Sequence, residues 1–431
     1  MKIAVIFHRL GPYHFARLRA AGRLLPVTAI ETSGADETYA WDMVAGADGF
    51  ERVTLFGNAD AYTQPAREVA IRVGSALDKI LPAVVAIPGW SDAAALSALR
   101  WCMVHGVPAI VMSESTEWDD TRNAWREAVK RRVVGLCAAA LVGGTPHKEY
   151  MVKLGMPPER IFLGYDAVDN GYFRENAEKL KPETRKSEGG SQKPDHSTLP
   201  SAICHLPSSP FFLASARFVE KKNLPRLIQA YARYRELAQE SEVRNQKSEF
   251  QVSGSSVSAS GLWDLVLLGD GALRSSLESQ VSSLGLHSHV QMPGFIQYPE
   301  LPAYYAHAGA FIHASTTEQW GLVVNEAMAS GLPVLVSNRC GCAQDLVQPG
   351  VNGFTFDPWN VEQLAQLMFQ VSAFQPFRLS AFGDASRAII SEWGPERFAT
   401  GLKVAVEKAM EVRPKRAGLV GRLLLRALLV R

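Results

Sequence analysis

The stretch that decides the fold is residues 315–334, which read STTEQWGLVVNEAMASGLPV. It follows the apolar run 311–313, passes through Gly321 and enters a short apolar helix pattern that Gly331 and Pro333 bring to an end. Another apolar run begins directly after it. This order of strand, loop, helix and strand is typical of a parallel α/β sheet, in which the loop after a strand leads into a helix N-terminus.

The same alternation extends over most of the chain and predicts two domains. Short apolar runs that indicate buried strands occupy residues 3–7, 84–87, 109–112 and 139–142, and again 211–214, 265–268, 311–313 and 334–336. Helical patterns lie between many of them. We therefore expect an α/β protein with two doubly wound Rossmann-like domains that face each other across a cleft, where open sheets bind ligands.

Composition shifts along the chain predict the domain boundaries. Lys, Glu, Ser, Gly and Pro dominate residues 174–210, so we expect an N-terminal domain over 1–172, a flexible linker over 173–210 and a C-terminal domain over 211–390. A serine-rich run at 240–260 predicts an exposed loop.

The overall composition excludes several classes of protein. With 47% apolar and 20% charged residues the chain is ordinary globular material, and a net charge of +2 gives no field that would attract nucleic acid. Five scattered cysteines favour a reducing compartment over a disulfide framework. The apolar run at the N-terminus is too short for a secretory signal, and none reaches the ~18 residues that a bilayer requires. We expect a cytoplasmic protein.

The loop at 315–334 carries groups suited to a nucleotide sugar. The backbone amides of Gly321, Leu322 and Val323, at the positive end of the helix dipole, suit a phosphate. Glu318 and Glu326 would repel that anion but accept hydrogen bonds from sugar hydroxyls on either side of it.

A basic pair follows the strand at 211–214. A guanidinium at Arg217 and a mobile ammonium at Lys222 form a good clamp for a diphosphate, whereas the simpler alternative is a surface ion pair with Glu220. The segment Gly269-Asp270-Gly271 similarly admits either a nucleotide-binding loop or a tight strand-to-helix turn.

Four segments, in this order, resemble the retaining glycosyltransferases of family 4, also called group 1, which have the GT-B fold. They are ASARFVEKKN at 214–223, LLGDG at 267–271, VQMPGF at 290–295, and the EX7E spacing of Glu318 and Glu326. The resemblance implies transfer of a sugar from a nucleoside-diphosphate sugar to a hydroxyl acceptor, with retention of anomeric configuration. It also implies a last helix, within 391–412, that crosses back to the N-terminal domain.

The resemblance assigns roles to the residues that match the motifs. Arg217 and Lys222 neutralise the departing nucleoside diphosphate, Glu318 positions the sugar, and Glu326 holds the ribose. It places Gly11 and Gly269 in loops near the donor, while Gly294 and Phe295 either offer backbone to the base or merely turn the chain. No Asp-x-Asp occurs in the sequence, so we expect no metal and no cofactor beyond the donor substrate.

Four further residues are candidates for contacts with the acceptor or the transferred sugar. His14 contacts the acceptor or transfers a proton, or else is a satisfied polar residue near a helix start. Many family members carry a histidine near 113–115; here Ser113 or Glu114 takes its place, unless Glu114 pairs with an arginine on the next helix. Trp90 stacks on a sugar or lies in the interior.

The C-terminal segment 413–431 is basic and contains many leucines. Such an amphipathic helix either lies peripherally on the inner face of an anionic membrane or docks on the protein. The acceptor is accordingly a saccharide, a lipid-linked molecule or another small molecule, in polysaccharide, glycolipid or other glycoconjugate synthesis. The alternative functions are a GT-B nucleotide-sugar epimerase or hydrolase, and a catalytically silent nucleotide-sugar-binding partner.

Overall fold

A computed structural model describes residues 1–34, 44, 46–181, 206–207, 209–247, 261–412 and 419–429. The chain divides into two compact units. The N-terminal unit comprises Met1–Asp169 together with Trp393–Arg431, and the C-terminal unit comprises Asn170–Glu392.

The N-terminal unit contains a parallel sheet of seven described strands, in the order β3-β2-β1-β4-β5-β6-β7. Their bounds are β1 Ile3–Phe7, β2 Val27–Ser33, β3 Glu51–Phe56, β4 Val84–Pro88, β5 Ala109–Ser113, β6 Ala139–Val142 and β7 Ile161–Leu163. Five helices of this unit are α1 Pro12–Gly22, α2 Ala66–Ile80, α3 Ala93–His105, α4 Ala124–Val134 and α5 Thr145–Lys153. Every residue of β1, β5 and β6 is buried, which explains why these strands are mainly apolar runs in the sequence. Strand β2 is also fully buried, but it contains polar residues such as Thr28 and Glu31, so it gives no apolar run.

The C-terminal unit contains a second parallel sheet, of six described strands, in the order β10-β9-β8-β11-β12-β13. The strands are β8 Phe211–Ser215, β9 Asp264–Leu268, β10 Val290–Gly294, β11 Ala310–His313, β12 Val334–Ser337 and β13 Gly353–Phe356. Its helices are α6 Asn170–Leu180, α7 Leu224–Lys247, α8 Arg274–Ser283, α9 Leu301–His307, α10 Leu322–Ala329, α11 Ala343–Leu346, α12 Val361–Ser372 and α13 Pro376–Ser391. Both units are thus doubly wound and Rossmann-like, as the sequence predicts.

The long helix α14, Pro395–Glu411, returns to the N-terminal unit. Gly394 and Pro395 start it, and its buried face, which includes Phe398, Leu402 and Val406, packs in the same cluster as β1 and β6 residues. A Cβ at Gly401 would lie 2.5 Å from the carbonyl oxygen of Leu163, so only glycine permits this close approach to β7. The predicted crossing of the last long helix is confirmed.

The terminal helix α15, Leu419–Leu429, docks on α3 of the same unit. Leu425 is 1% exposed, and Leu424, Leu428 and Leu429 pack against the same core cluster, while Arg426 is exposed. The apolar face of the described helix is therefore occupied by the protein, as in the docked alternative. Residues 413–418, 430 and 431 of the predicted tail lie outside the described residues.

Two segments differ from the sequence-based expectation. Residues 173–180 belong to α6, so the prediction of a flexible linker is wrong there; Phe173 and Ala177, four positions apart, are both fully buried and fix the helix on its unit. Residues 182–205 and 208 of that predicted linker lie outside the described residues. Likewise α7 extends to Lys247, into the predicted serine-rich loop, and residues 248–260 lie outside the described residues.

Within the described part of the chain, no helix combines the length and the apolar character needed to cross a bilayer.

Candidate active site

The candidate site lies in the C-terminal unit, at the point where the strand order of the sheet reverses. Strand β8 has β9 on one side and β11 on the other, so the loops that follow β8 and β11 leave from neighbouring carboxyl ends. The amide of Thr316 donates to the carbonyl oxygen of Lys221 at 2.9 Å. The buried side chain of Asn223 donates to the carbonyl oxygen of Ala314 at 3.1 Å. These bonds hold the two loops together.

Lys222 and Glu318 form an ion pair across these loops, with side chains only 12% and 13% exposed. Burial alone would raise the pKa of Glu318, but the positive charge of Lys222 and the hydrogen bond with His313 outweigh burial and hold the pKa well below its usual range. Glu318 is therefore ionised at any physiological pH, and Lys222 contacts it rather than forming a surface pair with Glu220.

Two further side chains contact the same carboxylate. His313, the last residue of β11, is 3% exposed, and its Nε2 lies 3.3 Å from Oε2 of Glu318. The hydroxyl of Ser315 donates to that oxygen, also at 3.3 Å. Burial lowers the pKa of His313, so the ring is neutral. Sequence reasoning missed His313; the available signal was a histidine ending a buried strand five positions before Glu318.

The N-terminus of α10 follows this cluster. Gly321 has φ +102°, a left-handed conformation that favours glycine, and it caps the helix that starts at Leu322. Gly321, Leu322 and Val323 are half-buried, and amides in the first turn of a helix have no partner within it. The loop is fixed from inside, because the indole of Trp320, 1% exposed, donates to Asn325 at 2.9 Å. The arrangement suits a phosphate, and the binding of one by these amides stays a prediction.

Glu326 has a different environment from the one expected of a ribose ligand. Its side chain is fully buried, and the hydroxyl of Tyr305 on α9 donates to its Oε2 at 2.6 Å. The structure thus places this carboxylate in the interior, against α9, while Glu318 lies in the loop. The ribose contact of Glu326 stays a prediction.

The remaining residues predicted to support the donor lie in the loops after β8, β9 and β10. Arg217 is exposed, two residues after β8. A Cβ at Gly269 would lie 1.9 Å from the carbonyl oxygen of Ala216, and its amide donates to the carbonyl oxygen of Gly294 at 2.8 Å. Gly269 therefore has the geometry of a tight turn between packed backbones. Phe295, directly after β10, is 40% exposed.

Gly11 and His14 lie at the carboxyl end of β1 in the N-terminal unit. Gly11 caps α1, and its amide donates to Nδ1 of His14 at 3.2 Å. Burial, followed by the positive charge of Arg17, lowers the pKa of His14 to about 3. His14 is thus neutral and caps the helix, which matches the alternative of a satisfied polar residue; its contact with an acceptor stays a prediction.

The other three candidates of this unit lie at the end of β5 and just after β4 and β5. Ser113 is buried and accepts a hydrogen bond from the amide of Ser115 at 3.1 Å. Glu114 is half-buried and lies beside Asp166; burial, then the charge of Glu114, raises the pKa of that buried aspartate. Trp90 is half-buried, packs against the core cluster and contacts the ring of Tyr150 edge-on at 6.4 Å, as an interior tryptophan would.

Among the described residues, no three His, Cys, Asp or Glu side chains are grouped so that they could hold a metal ion.

Comparisons with known proteins find partial relatives. An uncharacterized glycosyltransferase of Methanocaldococcus jannaschii is 29% identical over 148 residues, covering 34% of this chain and 38% of the relative. A GDP-mannose-dependent alpha-(1-6)-phosphatidylinositol monomannoside mannosyltransferase of Mycobacterium tuberculosis is 30% identical over 146 residues, covering 32% of this chain and 37% of the relative. The matched parts thus span less than two fifths of either relative.

A solved structure extends the likeness to the fold. Anabaena HepE, crystallised in complex with UDP, superposes with a TM-score of 0.64 over 96% of this chain and 100% of its own, at 16% identity. At that identity the likeness concerns the fold. Residues 205–379 match the family model described as glycosyl transferases group 1. Residues 205–379 are therefore similar to the group 1 glycosyl transferases, and the chain has the fold of two Rossmann-like α/β domains that is found in the GT-B glycosyltransferases.

Proposed function

We propose that the chain is a retaining glycosyltransferase of family 4, which moves a sugar from a nucleoside-diphosphate sugar to a hydroxyl acceptor. The observation that carries the proposal is the ionised carboxylate of Glu318, held by Lys222 at the end of β11 and followed directly by the N-terminus of α10. A fixed negative charge next to an anion site fits a substrate that has hydroxyls beside a diphosphate.

The charge that develops on the departing diphosphate is stabilised by cations and backbone dipoles. Arg217 is exposed in the loop after β8, and Lys222 lies in the turn that follows. The first amides of α10 come shortly after Glu318 in the chain. Such pre-oriented groups stabilise a transition state without reorganising when the charge appears.

Glu318 acts on the sugar. Its permanently ionised carboxylate accepts hydrogen bonds from the sugar hydroxyls and favours the positive charge that develops near C1 when the glycosidic bond to phosphate breaks. The acceptor hydroxyl attacks from the face that the diphosphate leaves, and a phosphate oxygen takes its proton, so that the anomeric configuration is retained. Glu326 acts on the ribose end of the donor indirectly, because it fixes the position of α10.

The donor is proposed to carry UDP or GDP, and the acceptor to be a saccharide or a lipid-linked saccharide. HepE was crystallised with UDP, and the mycobacterial relative is GDP-mannose-dependent with a phosphatidylinositol mannoside as acceptor. Because the apolar face of α15 packs on α3, we propose that any attachment to an anionic surface uses exposed basic residues such as Arg426.

The proposal is tested by incubating the purified protein with UDP- and GDP-sugars, with and without hydroxyl acceptors, and measuring the nucleoside diphosphate released. We expect release that depends on acceptor, and a product whose anomeric proton signal in NMR matches the donor configuration. Release that needs no acceptor indicates the hydrolase or epimerase alternative. Binding without any release indicates a silent partner.

A further inference from the structure

We infer that His313 is the positioning residue of Glu318: it fixes one carboxylate oxygen so that the other is presented to the donor sugar. The inference deepens the proposed function and rests on the role given there to Glu318. His313 matches none of the motif positions that suggested the function.

The geometry of the carboxylate is asymmetric. Lys222, His313 and Ser315 all contact Oε2 of Glu318, the latter two at 3.3 Å. Three contacts on one oxygen saturate its lone pairs and fix the side-chain torsions. The lone pairs of Oε1 are then the ones directed to a ligand hydroxyl.

The proton on His313 is determined by its neighbours. The ring is neutral, and with hydrogen on Nε2 it donates to Oε2 of Glu318, which carries the negative charge; the hydroxyl of Ser315, also 3.3 Å from that Nε2, then directs its own hydrogen to Oε2. The ring is held on both sides: it stacks on Phe311 at 6.5 Å, and a Cβ at Gly321 would come within 3.4 Å of Nε2. The titratable groups that act on it are Glu318, Lys222 and Lys221.

The contact of His313 with Glu318 becomes most important when the donor binds. A diphosphate competes with Glu318 for the ammonium of Lys222, because both are anions within reach of one flexible side chain. When the ammonium is shared, His313 and Ser315 keep Oε2 in place. Loss of His313 therefore affects the step in which Glu318 must hold the sugar, and affects little the binding of a nucleotide that has no sugar.

The test compares His313→Phe, which keeps an aromatic ring without a donor, with His313→Gln, whose amide nitrogen reaches the Nε2 position, and His313→Asn, whose amide nitrogen reaches only the Nδ1 position. His289→Phe is the matched control, because His289 also contacts a carboxylate, Asp264 at 3.0 Å, but at the opposite, amino end of β9. Release of nucleoside diphosphate is measured with the donor that the wild type accepts, across pH, and binding of UDP and GDP is measured separately.

We expect His313→Phe to lower kcat about 10- to 100-fold, a loss typical of removing a group that orients another functional side chain, while the Kd of the bare nucleotide stays within about twofold. His313→Gln should recover most of kcat and His313→Asn should not, with the pH profile of the Gln variant unchanged in its acid limb because Glu318 stays ionised.

A kcat of His313→Phe equal to that of the wild type overturns the inference. So do equal losses in the Phe, Gln and Asn variants, since a packing role would not distinguish the position of a donor. If His313→Phe does not fold, the Gln and Asn variants decide alone. A wild type that turns over no donor overturns the proposed function and this inference with it, whereas an active wild type with an active Phe variant overturns only the inference.

Discussion

The replacement Lys222→Met removes the positive charge of the buried ion pair and keeps most of the aliphatic part of the side chain. Glu318 then remains 13% exposed and charged, with only His313 and Ser315 as donors. Breaking a buried pair from one side costs up to about 3–5 kcal/mol, and the two remaining hydrogen bonds reduce our expectation to about 2–3 kcal/mol. For a cooperative unit of about 200 residues, that loss lowers Tm by about 4–10 °C.

The same replacement changes the dependence of stability on pH. The pKa of Glu318 lies below its ordinary value in the folded protein, so this group stabilises the fold above pH ~4.5 and that contribution is lost as pH falls toward the folded pKa. Without Lys222, the pKa of Glu318 is lowered less, or is raised above its ordinary value because burial then has the larger effect. The difference in unfolding free energy between wild type and variant should therefore be largest at pH 7 and should shrink as the pH falls through ~4.

Thermal unfolding followed by calorimetry at pH 7 and at lower pH measures both effects. Lys221→Met, one position away and also half-buried, is the matched control for loss of one positive charge that lies outside the ion pair with Glu318. The double variant Lys222→Met with Glu318→Gln should recover most of the lost stability, because no uncompensated charge is left buried. A Lys222→Met protein as stable as the wild type, or a double variant less stable than Lys222→Met alone, would refute the reasoning.

Three further replacements test other parts of the structure. Tyr305→Phe leaves the buried carboxylate of Glu326 without its 2.6 Å hydrogen bond and should cost about 1.5–3 kcal/mol of unfolding free energy, measured by urea denaturation. Gly321→Ala forces a side chain into φ +102° beside His313, and we expect a loss of about 1–3 kcal/mol together with weaker UDP binding in calorimetry; unchanged values would argue against a strained phosphate loop. Leu425→Ala should cost about 2–4 kcal/mol if α15 is docked on α3, whereas a tail that lies on membranes would leave the stability of the free protein unaltered.

Much of the fold could be predicted because parallel strands buried on both faces are uninterrupted apolar runs. The runs at 3–7 and 139–142 coincide with β1 and β6. The crossing of α14 is implied by the family resemblance alone, and its amphipathic face explains how it packs on the N-terminal unit. The linker was overextended because α6 has a strongly polar composition. Only two residues of α6 are fully buried, Phe173 and Ala177.

The sequence motifs point to Lys222 and Glu318, which the structure brings into contact, but they do not point to the residues that support these two. The contact between Lys222 and Glu318 joins residues 96 positions apart, and only the sheet order brings β8 and β11 side by side. Tyr305 acquires its role through that packing, since a tyrosine on α9 carries no local pattern that points to a carboxylate. For His313 the sequence offers only its place at a strand end, five positions before Glu318.

The most direct measurement of the central claim is the turnover of a nucleoside-diphosphate sugar by Glu318→Gln, which keeps the shape and removes the charge. We predict that acceptor-dependent release falls at least about 100-fold, while binding of the bare nucleoside diphosphate persists within severalfold. Turnover at the wild-type rate would contradict a catalytic carboxylate at this position.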